Sequence, residues 1–270
     1  MQPLLNIAVR AARRAGEVIV RSMNRLESLT ITSKGRNDFV TEVDRAAEQE
    51  IIGSIRRHYP QHAFLAEESG ASGENETRWI IDPLDGTTNF LHGFQTYCVS
   101  IALVHKGTLT HGVIYDPCRN DLYTASRGRG AFLNDKRLRV AKRDKLIDAL
   151  VGTGFPFRMF EHADAYVGML KDLMAKTAGI RRPGAAALDL ANVAAGRLDG
   201  FWEIGLSPWD MAAGCLMILE AGGLVGDIEG NERYLESGNI VAGSPKIFGQ
   251  LLQAIQPHID GKLHQATRRA

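Results

Sequence analysis

The sequence predicts an α/β fold in two fused halves, and three patterns carry the prediction. Apolar residues recur at helical spacing near the N-terminus and again from Thr41, which gives two amphipathic helices. Between Val99 and Leu133 the pattern changes to alternation broken by turn residues, as in an antiparallel meander. Beyond Leu150 short strands and helices alternate, as they do around a more parallel sheet. The expected division is residues 1–140, two helices on an antiparallel sheet, and residues 141–270, an α/β unit.

Leu5, Ala8, Ala12, Ala15, Ile19 and Met23 fall on one face of the first helix, with arginines opposite. Lys34 to Asp38 reads as a polar loop containing a glycine. Thr41 then caps a second helix, with Asp44 three residues on as in a capping box and Ala47, Ile51 and Ile55 facing inward. Phe64-Leu65-Ala66 is a short strand ending in Glu67-Glu68, and residues 70–78 read as a polar, mobile flap. Trp79-Ile80-Ile81 is a buried strand that should leave in a tight turn at Asp82-Pro83-Leu84-Asp85-Gly86, because proline fixes φ and glycine permits φ > 0. His92, His105 and His111 have no ligand spacing and read as ordinary residues of the meander.

In the second half Leu150 to Gly154 runs from strand into a glycine turn, and a helix follows at about 163–177. Pro183 opens a helix ending near Gly196. Phe201-Trp202-Glu203 is a strand, and Ser207-Pro208-Trp209-Asp210 starts a helix that ends at Gly222-Gly223. Strands at Leu224 to Asp227 and Ile240 to Ala242 and a last helix from Ser244-Pro245 complete the chain, with a polar tail from about Gly261.

Composition narrows the function classes. The 32 basic and 31 acidic residues nearly cancel, so no broad electrostatic footprint for nucleic acid or membrane exists. The three cysteines (Cys98, Cys118 and Cys215) form no metal-spaced pair and no disulfide framework, which favours a reducing compartment. No signal peptide and no run of ~20 apolar residues is found. The expected location is the cytoplasm.

What stands out is the placing of carboxylates. Asp82 and Asp85 sit together on one turn at a strand end, where like charges repel unless a cation lies between them. Glu67 and Glu68 also arrive at a strand end, and successive side chains alternate faces, so only one of them faces a site there. Asp44 and Asp210 are each accounted for as first-turn helix residues facing the positive end of the helix dipole. Arg181 and Arg182 read either as a solvated basic pair or as contacts to phosphate or to a partner subunit.

The string Trp79-Ile80-Ile81-Asp82-Pro83-Leu84-Asp85-Gly86-Thr87-Thr88-Asn89-Phe90 resembles the first signature of the inositol monophosphatase family. Trp209-Asp210, followed by small residues and ending in Glu220-Ala221-Gly222-Gly223, resembles its second. The resemblance spans nearly the whole chain and is nearest to the bacterial SuhB-type branch. It implies a layered αβαβα sandwich of the sugar-phosphatase type and a site for two to three Mg²⁺ ions. The metal ligands it implies are Glu67, Asp82, the carbonyl of Leu84, Asp85 and Asp210, an all-oxygen set suited to a hard cation. It further implies that Asp44, Glu67 and Thr87 take part in catalysis, with Asp44 orienting Thr87 towards the attacking water. Substrate contacts follow from the same resemblance: Leu84, Asp85, Gly86, Thr87, Gly184, Ala185, Ala186, Glu203 and Asp210, with Arg181 beside them. Ala185 stands where many members carry Thr or Ser, so one hydroxyl contact is missing.

The activity expected from the resemblance is Li⁺-sensitive hydrolysis of myo-inositol 1-phosphate and related monophosphates, by a homodimer. The alternatives are a sibling phosphatase acting on a sugar or nucleotide bisphosphate, or a regulator that binds Nus factors and RNA polymerase in transcription antitermination. Direct nucleic-acid binding is not expected of a near-neutral chain.

Overall fold

The structure, a computed structural model, describes residues 3–35, 38–259 and 263. Helix α1 (Pro3–Ser22) passes through a 3₁₀ turn (Met23–Ser28) into the strands β1 (Ile31–Gly35) and β2 (Asp38–Thr41), followed by α2 (Glu42–Arg56). Strands β3 (Ala63–Ala66), β4 (Gly70–Ser72) and β5 (Thr77–Asp85) lead to the short helix α3 (Thr87–Leu91). The meander is β6 (Cys98–His105), β7 (Thr108–Asp116), β8 (Asp121–Ser126), β9 (Gly130–Leu133) and β10 (Lys136–Arg137). Then come β11 (Leu150–Thr153), a 3₁₀ turn (Phe157–His162), α4 (Ala163–Lys176), β12 (Gly179–Arg181) and α5 (Ala186–Ala194). The chain closes with β13 (Gly200–Glu203), α6 (Pro208–Glu220), β14 (Leu224–Gly226), α7 (Tyr234–Ser237), β15 (Ile240–Gly243) and α8 (Pro245–Ile255).

Two sheets, one of eight strands ordered β10-β9-β8-β7-β6-β5-β3-β4 and one of five ordered β12-β11-β13-β15-β14, stack between helices. Alternation along single strands shows the layering. In β5, Trp79 and Ile81 pack with α1 and α2, whereas Ile80 packs with α5 and α6. In β13, Phe201 faces α5 and α6 while Trp202 faces Tyr166 and Met169 of α4 and Ile247 and Leu251 of α8. The order of layers is therefore α1–α2, eight-stranded sheet, α5–α6, five-stranded sheet, α4–α8, the αβαβα sandwich that the resemblance implies. Both faces of each sheet are covered, which is why Trp79-Ile80-Ile81 in β5 and Ile240-Val241-Ala242 in β15 read as unbroken apolar runs. Helix α6 is apolar nearly all round, with Met211, Ala212, Ala213, Cys215, Leu216, Met217 and Ile218 all buried, as a helix between two sheets must be.

Several expectations need correction. Residues 70–78 are no free flap: β4 pairs antiparallel with β3, Leu65 opposite Ala71, and Thr77 already belongs to β5. Strand β5 does not stop at Ile81 but continues to Asp85, its register with β6 shifting between Asp82 and Asp85. The tight turn anticipated there is a β-bulge, which keeps the backbone in the sheet while re-aiming two side chains. The loop expected at Lys34 to Asp38 is the end of a hairpin, with Gly35 opposite Asp38, and Arg36 and Asn37 lie outside the described residues. The second sheet is mixed: β11 pairs parallel with β12 and β13, but β15 pairs antiparallel with β13 and β14. Helix α5 begins at Ala186, so Pro183 precedes it rather than opening it. The tail expected from Gly261 lies outside the described residues except Leu263.

Candidate active site

A cavity of about 370 Å³ opens where the C-terminal ends of β3, β5, β11 and β13 meet the first turns of α5 and α6. The carboxylates of Glu67, Asp82, Asp85, Glu203 and Asp210 line it, together with Leu84, Gly86, Thr87, Gly184, Ala185 and Ala186. Each acid has a local structural reason for its position. Glu67 follows β3 directly, and its N–H donates to the carbonyl of Ile81 on β5 at 3.1 Å, which turns its side chain inward. Glu68 points away, and its N–H donates to Glu48. The alternation argument thus selects the glutamate that faces the site.

Within the bulge the Leu84 N–H donates to Asp82 Oδ1 at 3.0 Å, a side-chain turn that locks the first aspartate. Asp85 Oδ2 accepts the Ala187 N–H at 2.7 Å, so the second aspartate is tied to the start of α5 across the layers. Gly86 then takes φ +93, and a Cβ there would stand 2.8 Å from the Thr96 carbonyl, so only glycine allows the chain to turn into α3. Asp210 Oδ2 accepts the Ser207 N–H at 2.6 Å, the cap expected from sequence, while its carboxylate also reaches the cavity.

Asp44 likewise makes both of the contacts weighed for it. One oxygen accepts the N–H and hydroxyl of Thr41 in a capping box, and the other accepts the Thr87 hydroxyl at 2.9 Å. The same Thr87 hydroxyl lies 3.0 Å from the Leu84 carbonyl. Asp44 is fully buried, and burial raises its pKa above the usual carboxylate range against the pull of its hydrogen bonds.

Electrostatics set this pocket apart. Burial first, and then the charges of Glu67, Asp85 and Asp210, push Asp82 well above the usual range. Asp85 is pushed up to about 8 by burial and by Asp210. Glu203, on the opposite wall, is pushed up to about 8 by burial and again by Asp210. Carboxylates that raise one another's pKa in this way form a site whose negative charge outweighs the positive charge around it.

Arg181 does not line the cavity; its guanidinium turns back to its own Ile180 carbonyl. The next residue, Arg182, does line it, stacked 5.1 Å from the ring centre of Phe155 and 5.3 Å from that of Phe157. Three further residues at the site went unread in the sequence. Arg158 reaches Glu67 at 3.8 Å and Asp210 at 4.0 Å. Asp189 on α5 is buried in the wall, and its Oδ1 has no hydrogen-bond partner. The Asn89 amide donates to the carbonyls of Thr96 and Pro183, at 2.8 and 2.9 Å, and so ties α3 to the loop before α5. A legible signal for Arg158 was available, since Phe155-Pro156-Phe157-Arg158 directly follows a strand end, where α/β folds place their ligands.

Among the described residues no group of three or more His, Cys, Asp or Glu side chains is arranged to hold a metal ion. The donor chemistry nevertheless fits a hard cation: four mutually repelling carboxylates and the carbonyl of Leu84, with no imidazole or thiolate among them. The thiol of Cys98 approaches Asp85 but is fully buried, and burial pushes its pKa up, so it offers no thiolate.

Fold and pocket together define a layered α/β protein with an oxygen-only, cation-seeking site where two sheets meet. Comparison with known proteins makes the assignment specific. The family model described as "Inositol monophosphatase family" matches residues 1–260. Nus factor SuhB of Pseudomonas aeruginosa is 57% identical over 269 residues, covering 97% of this chain and 99% of that protein. The crystal structure of extragenic suppressor protein suhB from Bartonella henselae aligns with a TM-score of 0.93 at 46% identity, over 96% of this chain and 100% of that one. Inositol monophosphatase from Anabaena (Nostoc) sp. PCC 7120 aligns with a TM-score of 0.85 at 40% identity, over 94% and 95% of the two chains. The chain belongs to the inositol monophosphatase family.

Proposed function

We propose that this protein is a Mg²⁺-dependent, Li⁺-sensitive phosphomonoesterase acting on myo-inositol 1-phosphate and related monophosphates. One observation supports the proposal above the others: Glu67, Asp82, Asp85 and Asp210, brought from three separate elements, face one cavity beside the Thr87–Asp44 pair. Glu67, Asp82, Asp85, Asp210 and the Leu84 carbonyl would hold two to three Mg²⁺ ions. Bound there, the metal would neutralise the phosphate and make a water more acidic.

The chain's own residues do the rest. Thr87 commits its proton to Asp44 and the Leu84 carbonyl, which leaves its oxygen lone pairs to accept a hydrogen bond from the attacking water and aim it. Glu67 lies next to that position and takes part in holding the water. Backbone N–H groups of Gly86 and Thr87 face the phosphate oxygens. Gly184, Ala185, Ala186 and Glu203 form the opposite wall, against the alcohol portion of the ester. Gly154 opens that wall, because a Cβ on it would overlap the Glu203 carboxylate. Ala185 offers no hydroxyl, so selectivity for inositol over other polyols is modest. A bisphosphate substrate is less favoured: the arginines at the cavity are Arg158 and Arg182, the first paired with acids and the second stacked on Phe155 and Phe157. In this scheme residues 1–140 supply most metal ligands and residues 141–270 supply Asp210 and the substrate wall.

The test is phosphate release from myo-inositol 1-phosphate with and without Mg²⁺, repeated with Li⁺ and with Asp82→Asn. Turnover that needs Mg²⁺, is suppressed by Li⁺ and is lost in the variant is the expected result. A folded protein that binds Mg²⁺ and releases no phosphate from any monoester would overturn it.

A second role is favoured by the 57% identity, over almost the full length, to a protein named as a Nus factor. Docking to RNA polymerase and Nus factors, by a homodimer in the cytoplasm, would use surfaces apart from the cavity. Asp82→Asn should then abolish hydrolysis and leave docking intact; loss of both in a folded variant would refute that separation.

A further inference from the structure

Asp189 is a buried acid of the cavity that neither holds metal nor aims water in the scheme above. It lies in the first turn of α5, is 1% exposed, and lines the cavity with Ala185, Ala186 and Glu203. Its Oδ1 has no hydrogen-bond partner. A carboxyl shut away from water without a partner costs stability, so its presence in a folded protein calls for a function.

Capping of α5 does not supply that function. The Ala187 N–H is taken by Asp85, and the N–H of Asp189 itself donates to the Ala185 carbonyl. No side chain caps the helix from Ala185 either. A helical side chain leans towards the N-terminus of its helix, and in α5 that end faces the cavity. Ala185, one turn ahead in the same wall, bears only a methyl group and leaves the carboxyl uncovered. The charges agree with this placing. After burial, Glu203 and Asp85 on the cavity push the Asp189 pKa well above the usual range, and Arg182 opposes them.

We propose that Asp189 determines specificity by hydrogen-bonding a hydroxyl of the alcohol portion, so that the site favours polyhydroxy alcohols over apolar ones. The inference rests on the phosphomonoesterase reading above, in which this wall takes the alcohol. A ring bearing hydroxyls gives the buried carboxyl the partner it lacks. An alkyl or cycloalkyl ester would cover it and leave it unmet, and a site built to bond a hydroxyl rejects such an analogue strongly.

The experiment compares myo-inositol 1-phosphate with cyclohexyl phosphate, a ring of similar size without hydroxyls, at saturating Mg²⁺. The native protein, Asp189→Asn and Asp189→Leu are each assayed and melted. Asp189→Leu should lower kcat/KM for the inositol ester by about 10- to 100-fold and change that for the cyclohexyl ester by less than about 3-fold. Asp189→Asn keeps a polar group of the same shape and should retain the native preference within about 5-fold. Asp189→Leu should melt no lower than the native protein, since it replaces an unpartnered buried carboxyl with an apolar group. Parallel losses on both esters, an unchanged preference, or a Leu variant that fails to fold would each show a structural group and overturn the role of Asp189 alone. Absence of phosphate release from either ester by all three folded proteins overturns the reaction proposed above, and this inference with it.

Discussion

Asp44 shows how one side chain serves the fold and the site together. Its two oxygens divide the work, one closing the N-terminus of α2 on Thr41 and the other holding the Thr87 hydroxyl 2.9 Å away. The two functions should separate by mutation. Thr87→Ala removes the hydroxyl proposed to aim water but leaves the cap, so turnover should fall by about 100-fold or more while the melting temperature stays nearly unchanged. Asp44→Asn puts an NH₂ against groups that need an acceptor, and should cost about 1 kcal/mol of stability besides the loss of turnover. Steady-state kinetics paired with thermal melts of the two variants decides this; equal destabilisation by both would show that Thr87 is structural. The local pattern displays only half of the contacts of Asp44, and the pairing with Thr87 came from the family resemblance. Capping is written into residues 41–44, whereas the bond to Thr87 joins positions 43 residues apart. Asp189 escaped for the same reason, since it is placed by its surroundings in space and not by a repeating pattern; Arg182 was read only as one of a basic pair whose role stayed open.

At the scale of the element, the bulge in β5 organises the site. Had the strand kept its register, the side chains of Asp82 and Asp85 would have pointed to opposite faces of the sheet. The extra length between them lets both carboxylates reach the same cavity. Gly86 closes the bulge with a left-handed turn packed against the Thr96 carbonyl. Gly86→Ala should therefore cost about 2 kcal/mol or more, or roughly 4–8 °C in melting temperature. A melt within 1–2 °C of the native protein would show that the turn relaxes freely. The proline and glycine of this stretch correctly announced a sharp local change, but a turn and a bulge share those residues, and only pairing with β6 distinguishes them. Strand β4 was missed because Gly70-Ala71-Ser72 has neither bulk nor alternation, and it exists only because β3 offers it an edge.

At the scale of the whole molecule, the acidic pocket makes stability depend on pH and, under the proposed function, on metal. Asp85 and Glu203 titrate at about 8 in the folded protein, against ordinary values of 3.8 and 4.5, and Asp82 is raised as well. Between those limits the folded state holds protons that the unfolded chain has released. The stability these groups lend is complete below the unfolded values and drains away as pH rises towards 8. Metal-free protein should thus melt several degrees lower at pH 8.5 than at pH 6. Mg²⁺ favours the ionised carboxylates, so saturation should flatten that trend and add about 2.7 kcal/mol at 100 times the dissociation constant. Identical pH–melting curves with and without Mg²⁺ would count against a cation in this pocket.

The helices and most strands were legible because each carries its own periodicity, whereas the five-layer order came from the family resemblance. The mixed pairing of the second sheet was not, since nothing local in β15 tells it to run antiparallel to β13.

Helix α6 belongs by sequence to the second half of the chain, yet its flanks pack on β5, β6, β7 and β8 of the first sheet as well as on α5. Its first turn carries Asp210, and its last residue, Glu220, grips the N–H groups of Gly128 and Gly130 at 2.7 Å each. The first 140 residues expressed alone would leave the inner face of their sheet open to water and the cavity without Asp210, so they make a poor independent folding unit. The two halves should melt in one cooperative transition, and the pocket should assemble only at the last step, when the central helix docks.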